Sequence, residues 1–255
     1  MKLSFSSCIV LLFIVLLVGS SSAIAQEADE DKNWQFNLAP FYLWAVHLDG
    51  DVEIGPVETD IDVDFNDIFS NLEAAITGHF EAYYKRKWGV LVDLQYMNLG
   101  GEQSKAGLTT LDVDFTQVIA ELDLIYRFVD ESISIDGYAG VRYFDMDLGV
   151  DVLGFPLVDA NQNWLDPLIG VRMLWDMAKK WDLLLRLDVG GFGIGDASDF
   201  AWNLSGLINY KPWKHVGLIA GYRALDVDYR TGSGSSRFTY DVLMHGPILG
   251  FNIVW

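Results

Sequence analysis

The feature that most constrains this chain is one uninterrupted strand, residues 111–128, whose two faces belong to different solvents. Side chains on a strand alternate sides, so Val118, Ala120, Leu122, Leu124, Tyr126 and Phe128 share a face, and all are apolar. Gln117, Glu121, Asp123 and Arg127 share the other, which must line an enclosed interior where charges can pair. Upstream the sense inverts: Leu111, Val113 and Phe115 stay inward while Asp112, Asp114 and Thr116 turn out, as where a strand leaves hydrocarbon for water. This is the pattern of a stave in a transmembrane β-barrel that projects beyond the bilayer.

The N-terminus fits an exported protein. Residues 1–25 read as a signal peptide, with Lys2 as the positive start, an apolar stretch over 9–18 and small residues at Ala23 and Ala25. The apolar stretch is shorter than the ~20 residues a spanning helix needs, and no later run reaches that length. Residues 26–33 form a short periplasmic lead, and 34–255 suit one barrel domain. Cys8 is the single cysteine and leaves with the signal, so no disulfide is expected. A net charge of −19 argues against nucleic acid as a partner.

Strands recur along the chain. Residues 34–48 alternate with Trp34, Phe36, Leu38, Tyr42, Trp44 and Val46 outward and Gln35, Asn37 and His47 inward. An acidic excursion over 49–73 carries a small hairpin and a helical turn at 66–72. Strands then follow at 74–84, 88–99, 111–128, 133–148, 164–175, 181–194, 200–210, 215–229 and 237–255. Short basic turns alternate with long acidic loops, among them 100–108 and 149–163, which places the turns in the periplasm and the loops outside. The total is about ten strands in an antiparallel up-and-down barrel, or about twelve if the hairpin joins the wall; a protruding hairpin is the preferred reading.

A charge on the lipid face near the midplane costs roughly 2–4 kcal/mol, and these outward faces carry none, with His245 near the interface as the one doubtful occupant. Aromatics fall into two belts. Trp34, Tyr84, Trp88, Phe128, Trp175, Trp181, Tyr210 and Trp255 lie toward the turns, and Trp44, Tyr96, Tyr143, Trp202 and Tyr222 toward the loops.

The segments Pro40-Phe41-Tyr42-Leu43-Trp44-Ala45, Gly78-His79-Phe80-Glu81-Ala82, Trp164-Leu165-Asp166-Pro167-Leu168-Ile169-Gly170-Val171-Arg172, Asp188-Val189-Gly190-Gly191-Phe192-Gly193 and His245-Gly246-Pro247 resemble a family of small, mostly uncharacterised outer-membrane β-barrels of Gram-negative bacteria. The resemblance covers nearly all of the mature chain and implies fold and location, but no activity. Phe251, Ile253 and Trp255 also resemble the signal read by the outer-membrane assembly machinery, although such strands more often end in Phe; a lipid-facing strand ending in the aromatic belt would carry the same residues.

Three features bear on chemistry. Inward Glu81, Asp93, Glu121, Asp123, Asp136, Asp166, Asp182 and Asp188 face inward Arg127, Arg142, Arg172, Arg186 and Arg223. In a lumen this narrow they should pair and close it, in preference to lining an ion path. Above them Met97, Leu99, Leu111, Val113, Phe115, Met146, Leu148, Phe192, Ile194, Leu225, Val227, Phe238, Tyr240, Val242 and Met244 turn inward. They form either a packed core or an apolar chamber for a small hydrophobic molecule that leaves sideways into the membrane. Acidic pairs stud the rim, and Asp60, Asp62 and Asp64 are the nearest approach to a cation site; solvated strand edges explain them as well.

An enzyme has the least support. None of His47, His79, His215 and His245 has a serine two residues on or an Asp-x-His pattern, and His79-x-Glu81 has no evident nucleophile. No cofactor is expected. The leading expectation is therefore a largely closed, non-enzymatic barrel with an apolar extracellular chamber. The alternative is a surface barrel whose acidic loops engage lipopolysaccharide through divalent cations, or an external partner.

Overall fold

The computed structural model describes the backbone of residues 33–105, 108–152 and 155–255, with side chains throughout except at 102–113 and 152–159. The expected signal, residues 26–32 of the lead, and the side chains of Leu111 and Val113 lie outside the described residues.

Alternating side chains of opposite polarity make a sheet that must close, because an open edge in hydrocarbon would leave its backbone groups unpaired. The sheet does close, into an antiparallel barrel of ten staves. The first stave is discontinuous, comprising β1 (Trp34–Ala39), β2 (Tyr42–Trp44) and β3 (His47–Ile54), all paired with the last strand, β13 (Phe238–Val254). β4 (Val57–Val63) folds back on β3, and a short helix, α1 (Phe65–Ser70), leads to β5 (Leu72–Tyr84). The wall continues through β6 (Trp88–Lys105), β7 (Leu108–Asp130), β8 (Ile133–Val152), β9 (Phe155–Ala178), β10 (Trp181–Gly190), β11 (Phe200–Tyr210) and β12 (Val216–Thr231), each laddered to the next.

The outward set is where alternation places it. Val90, Leu122, Leu124, Ile169, Val171, Leu185, Leu187, Leu204 and Leu218 are exposed on the outer surface. At the turn end, aromatics pair across strands: Trp34 with Tyr84 at 5.0 Å, Trp88 with Tyr126 at 4.6 Å and Trp181 with Tyr210 at 4.6 Å. Trp255 stacks on Phe36 at 5.4 Å beside the closing seam, and Phe251 is exposed on the same strand.

The first stave departs from simple alternation. Pro40 has no N–H to give a ladder, the strand breaks there, and the parity slips by one. Phe41 consequently faces out, while Tyr42 is buried and its hydroxyl reaches Asp93 at 2.9 Å. Trp44 turns in beneath Arg223 and Val46 joins the interior core, so neither they nor Tyr42 belong to the lipid face. His47, expected inside, lies outside against His245, with ring centroids 5.0 Å apart. Gly246 makes the break possible: a Cβ there would stand 1.9 Å from the Ala45 carbonyl oxygen.

Two expected loops are strands. Residues 100–105 and 108–110 extend the β6–β7 hairpin, and 149–152 with 155–163 extend β8–β9, because pairing satisfies the backbone of a projecting hairpin even where side chains are polar. Conversely, β10 ends at Gly190, four residues before the sequence suggests. Gly191, Phe192, Gly193 and Gly195 all adopt positive φ, which turns the chain out of the sheet.

Candidate functional site

The lumen is built from the odd positions of β5 to β7 and the even positions of β8 to β10, since register puts these on one face. In its upper part Arg142 is fully buried, with Nε 2.8 Å from Glu121 and Nη2 2.8 Å from Asp188. Arg186 donates to Glu121, to Asp123 at 3.2 Å and to the Tyr138 hydroxyl at 2.7 Å. Tyr138 in turn donates to Asp188 at 2.9 Å. Below lies a second set. Arg172 reaches Glu81 at 2.5 Å and Asp136 at 3.0 Å, and Arg127 meets Asp136 at 2.7 Å. His79 sits between Glu81 and Asp93, with a ring nitrogen 2.9 Å from each. Arg172 and Arg186 stand opposite each other across β9 and β10, yet each serves a different set of acids. A void of about 100 Å³ lies beside these pairs, between His79, Asp93, Arg172, Arg186 and Arg223.

Three of the charged residues stand apart from these sets. Arg223 donates to the Asn203 side-chain oxygen at 2.8 Å and lies 4.8 Å above the Trp44 ring. Asp166 accepts from the Ser198 N–H at 2.7 Å and its hydroxyl at 2.8 Å, which fastens the loop after β10. Asp182 pairs with Lys211 at 2.7 Å beside a short turn. None of the three makes the expected direct ion pair with a lumen residue of the two sets, although Arg223 acts by its charge on Asp93 and Glu121 and is linked to Asp188 through Asn203.

Above the ion pairs the interior becomes apolar. Trp164 stacks on Phe144 at 4.8 Å and on Tyr229 at 4.0 Å, and its indole N–H donates to Ser198 at 2.9 Å. Leu225, Val227 and Met244 pack into the same cluster, with Met97 at its edge. Over this floor lies a cavity of about 570 Å³. Leu99, Phe115, Met146, Leu148, Phe238, Tyr240 and Val242, all expected in the chamber, line it. Phe192 and Ile194 do not; they are 45% and 63% exposed, because the positive-φ turn carries them out of the barrel.

Several lining residues were missed. Leu48, Val52, Ile61 and Val63 come from the β3–β4 hairpin and Ile68 from α1. Their period-two spacing carried the signal, which the acidic residues between them obscured. Phe144, Trp164 and Tyr229 were legible from parity with Met146, Asp166 and Val227.

Asp60, Asp62 and Asp64 do not converge. Asp60 and Asp62 lie on β4, whereas Asp64 caps α1, accepting from the N–H groups of Asn66 and Asp67. Among the described residues no group of three His, Cys, Asp or Glu side chains could hold a metal ion. The histidines outside the lumen have other partners: His47 meets Asp62 at 3.2 Å, His215 the Val254 carbonyl and His245 the Tyr222 hydroxyl.

The outer membrane protease OmpT from Escherichia coli has a similar structure, with a TM-score of 0.55 at 8% identity over 91% of this chain and 99% of that one. The fold is that of an outer-membrane β-barrel. Neisserial surface protein A (14% identity, 87% of this chain, 97% of that, TM-score 0.34) and OprG from Pseudomonas aeruginosa (11%, 88%, 97%, 0.34) are further solved barrels matched along most of their length. No protein-family model matches the sequence, and no curated protein does. The exposed apolar outer surface agrees with that fold.

Proposed function

We propose that this barrel is a non-enzymatic outer-membrane protein whose lumen is sealed by ion pairs and whose extracellular chamber binds small apolar molecules. The cavity of about 570 Å³ carries the reading: it is lined mainly by aliphatic and aromatic side chains, with Thr59, Asp60, Asp62, Asp67 and Asn71 also on its wall, and it stands over the ion-paired level, beside which lies a void of about 100 Å³. Pockets of this size, with few polar groups, suit small apolar ligands, and unpaired charge in the narrow lumen beneath would be costly. Absence of catalysis is part of the proposal, since a protease shares the architecture; the support is that His79, the one lumen histidine, has both ring nitrogens occupied by carboxylates.

The test joins conductance to binding. Purified protein in planar bilayers is expected to give no ion steps, and N-phenyl-1-naphthylamine is expected to quench the fluorescence that Trp164→Phe removes. Steady conductance, or quenching indifferent to Trp164→Phe, would overturn the proposal.

A second reading, surface contact with lipopolysaccharide, is favoured by one observation. Asp228, Asp241, Asp51 and Asp60 stand directly opposite one another across β12, β13, β3 and β4. Such a row attracts divalent cations, which bridge to phosphate. The pattern at Phe251, Ile253 and Trp255 is assigned to recognition by the assembly machinery.

A further inference from the structure

Among the described residues the ladder stops early at two junctions: between β9 and β10 it ends at Leu168 opposite Gly190, where the following loop is fastened by Ser198 on Asp166, and the other lies between the first stave and β5. β1 pairs with β5 only as far as Ala39 opposite His79. Above that level β2 and β3 ladder to β13, β4 ladders to β3, and residues 72–78 of β5 ladder to β6, so the ladder between the first stave and β5 is broken. A side chain closes the bottom of the gap. The Tyr42 N–H donates to Thr77 Oγ1 at 2.9 Å, and that hydroxyl donates to the Tyr42 carbonyl.

α1 fills the rest. Ile68 is 4% exposed and reaches the chamber wall, while Phe69, one residue on, is 62% exposed on the outside. A small void of about 80 Å³ runs along this seam from Phe41 and Leu43, on the outer side, to Met97 and Met244 within. Ile68 lines both this void and the chamber. The seam lies at the height of Ile76 and Tyr96, a register pair on β5 and β6 at the loop-side aromatic belt, which is the level of the outer-leaflet interface.

Where the wall is laddered, passage through it would break backbone hydrogen bonds in a medium that cannot replace them. Here it requires only displacement of a helix of six residues, held by the Asp64 cap and by the Gly100 N–H on the Asn71 carbonyl at 2.9 Å. We propose that this seam is a side entrance, with α1 as its plug, through which the chamber exchanges uncharged apolar molecules dissolved in the outer leaflet. The inference rests on the chamber reading above and adds the route and the source of the ligand.

The chain has one cysteine, Cys8, so a Cys8→Ser, Met146→Cys protein carries a single thiol in the chamber. In vesicles it is challenged with N-(1-pyrenyl)maleimide dissolved in the lipid, and separately with a water-borne anionic methanethiosulfonate. Adding Thr77→Val, which removes the clasp, or Asp64→Ala, which uncaps α1, is expected to speed the lipid-borne reaction several-fold while leaving the water-borne rate within twofold. Two variants are used because either alone could impair folding. Unchanged lipid-borne rates in both, or equal acceleration of both reagents, would overturn the side entrance while leaving the chamber intact. No reaction with either reagent would instead sink the chamber itself.

Discussion

Removing Arg142 is the sharpest test of the sealed lumen. The upper network sets three carboxylates, Glu121, Asp123 and Asp188, against two guanidiniums, Arg142 and Arg186. Unit charges about 4 Å apart attract by roughly 4 kcal/mol at an effective dielectric near 20. Arg142 holds two such contacts, and the expense of burying it offsets much of that sum. Arg142→Met fills the space but leaves three acids on Arg186 alone, and breaking a buried pair from one side destabilises by about 3–5 kcal/mol. Urea unfolding in phospholipid vesicles, followed by tryptophan fluorescence, should show that loss. Glu121→Gln in the same chain restores the balance of charge and should recover at least half of it. A shift under about 0.5 kcal/mol for the single variant, or no recovery in the double, would refute the view that these pairs hold the lumen shut.

Other outcomes follow from particular contacts. Gly246→Ala forces a methyl into the Ala45 carbonyl and should destabilise the barrel by about 1–3 kcal/mol, read in the same unfolding assay. Asp241 stands between Asp228 and Asp51, and each like-charge opposition is worth up to about 1 kcal/mol, so Asp241→Asn should stabilise at pH 7, most strongly at low salt. Burial, and then the charge of Asp228, raise the Asp241 carboxyl above its ordinary range. Its protonation therefore favours the folded state: stability should grow as pH falls from 7 through that raised value, the gain being complete below about 3.9. Asp130 behaves oppositely. Its hydrogen bond from Arg86 holds it low, so that contribution is present at neutral pH and is lost only in stronger acid; for an exposed pair it is about 1 kcal/mol or less. A pH scan of the unfolding midpoint that falls steadily from 7 to 5 would contradict the assignment to Asp241.

The barrel was legible in the sequence because hydrocarbon outside and paired charge inside leave a period-two signal that little else produces. Leu122, Leu124, Val171 and Leu185 took the outer face for that reason, and Arg142 and Glu121 the inner. The signal failed where backbone geometry overrode it. Pro40 shifted the parity and moved Tyr42 and Trp44 inward, and the run of positive φ from Gly191 withdrew Phe192 and Ile194 from the chamber. Alternation also says nothing about which strands stop pairing. The broken ladder beside β5 and the placement of α1 across it depend on contacts between segments distant in sequence, and these appear only in three dimensions.

A bound heavy atom tests most directly whether an apolar chamber stands over a sealed lumen. Crystals of the detergent-solubilised protein soaked with 1-bromooctane should show anomalous bromine density between Phe115, Met146 and Tyr240, with none among Arg142, Arg172 and Arg186 below. Bromine confined to the outer apolar band, or found threaded through the arginines, would contradict it.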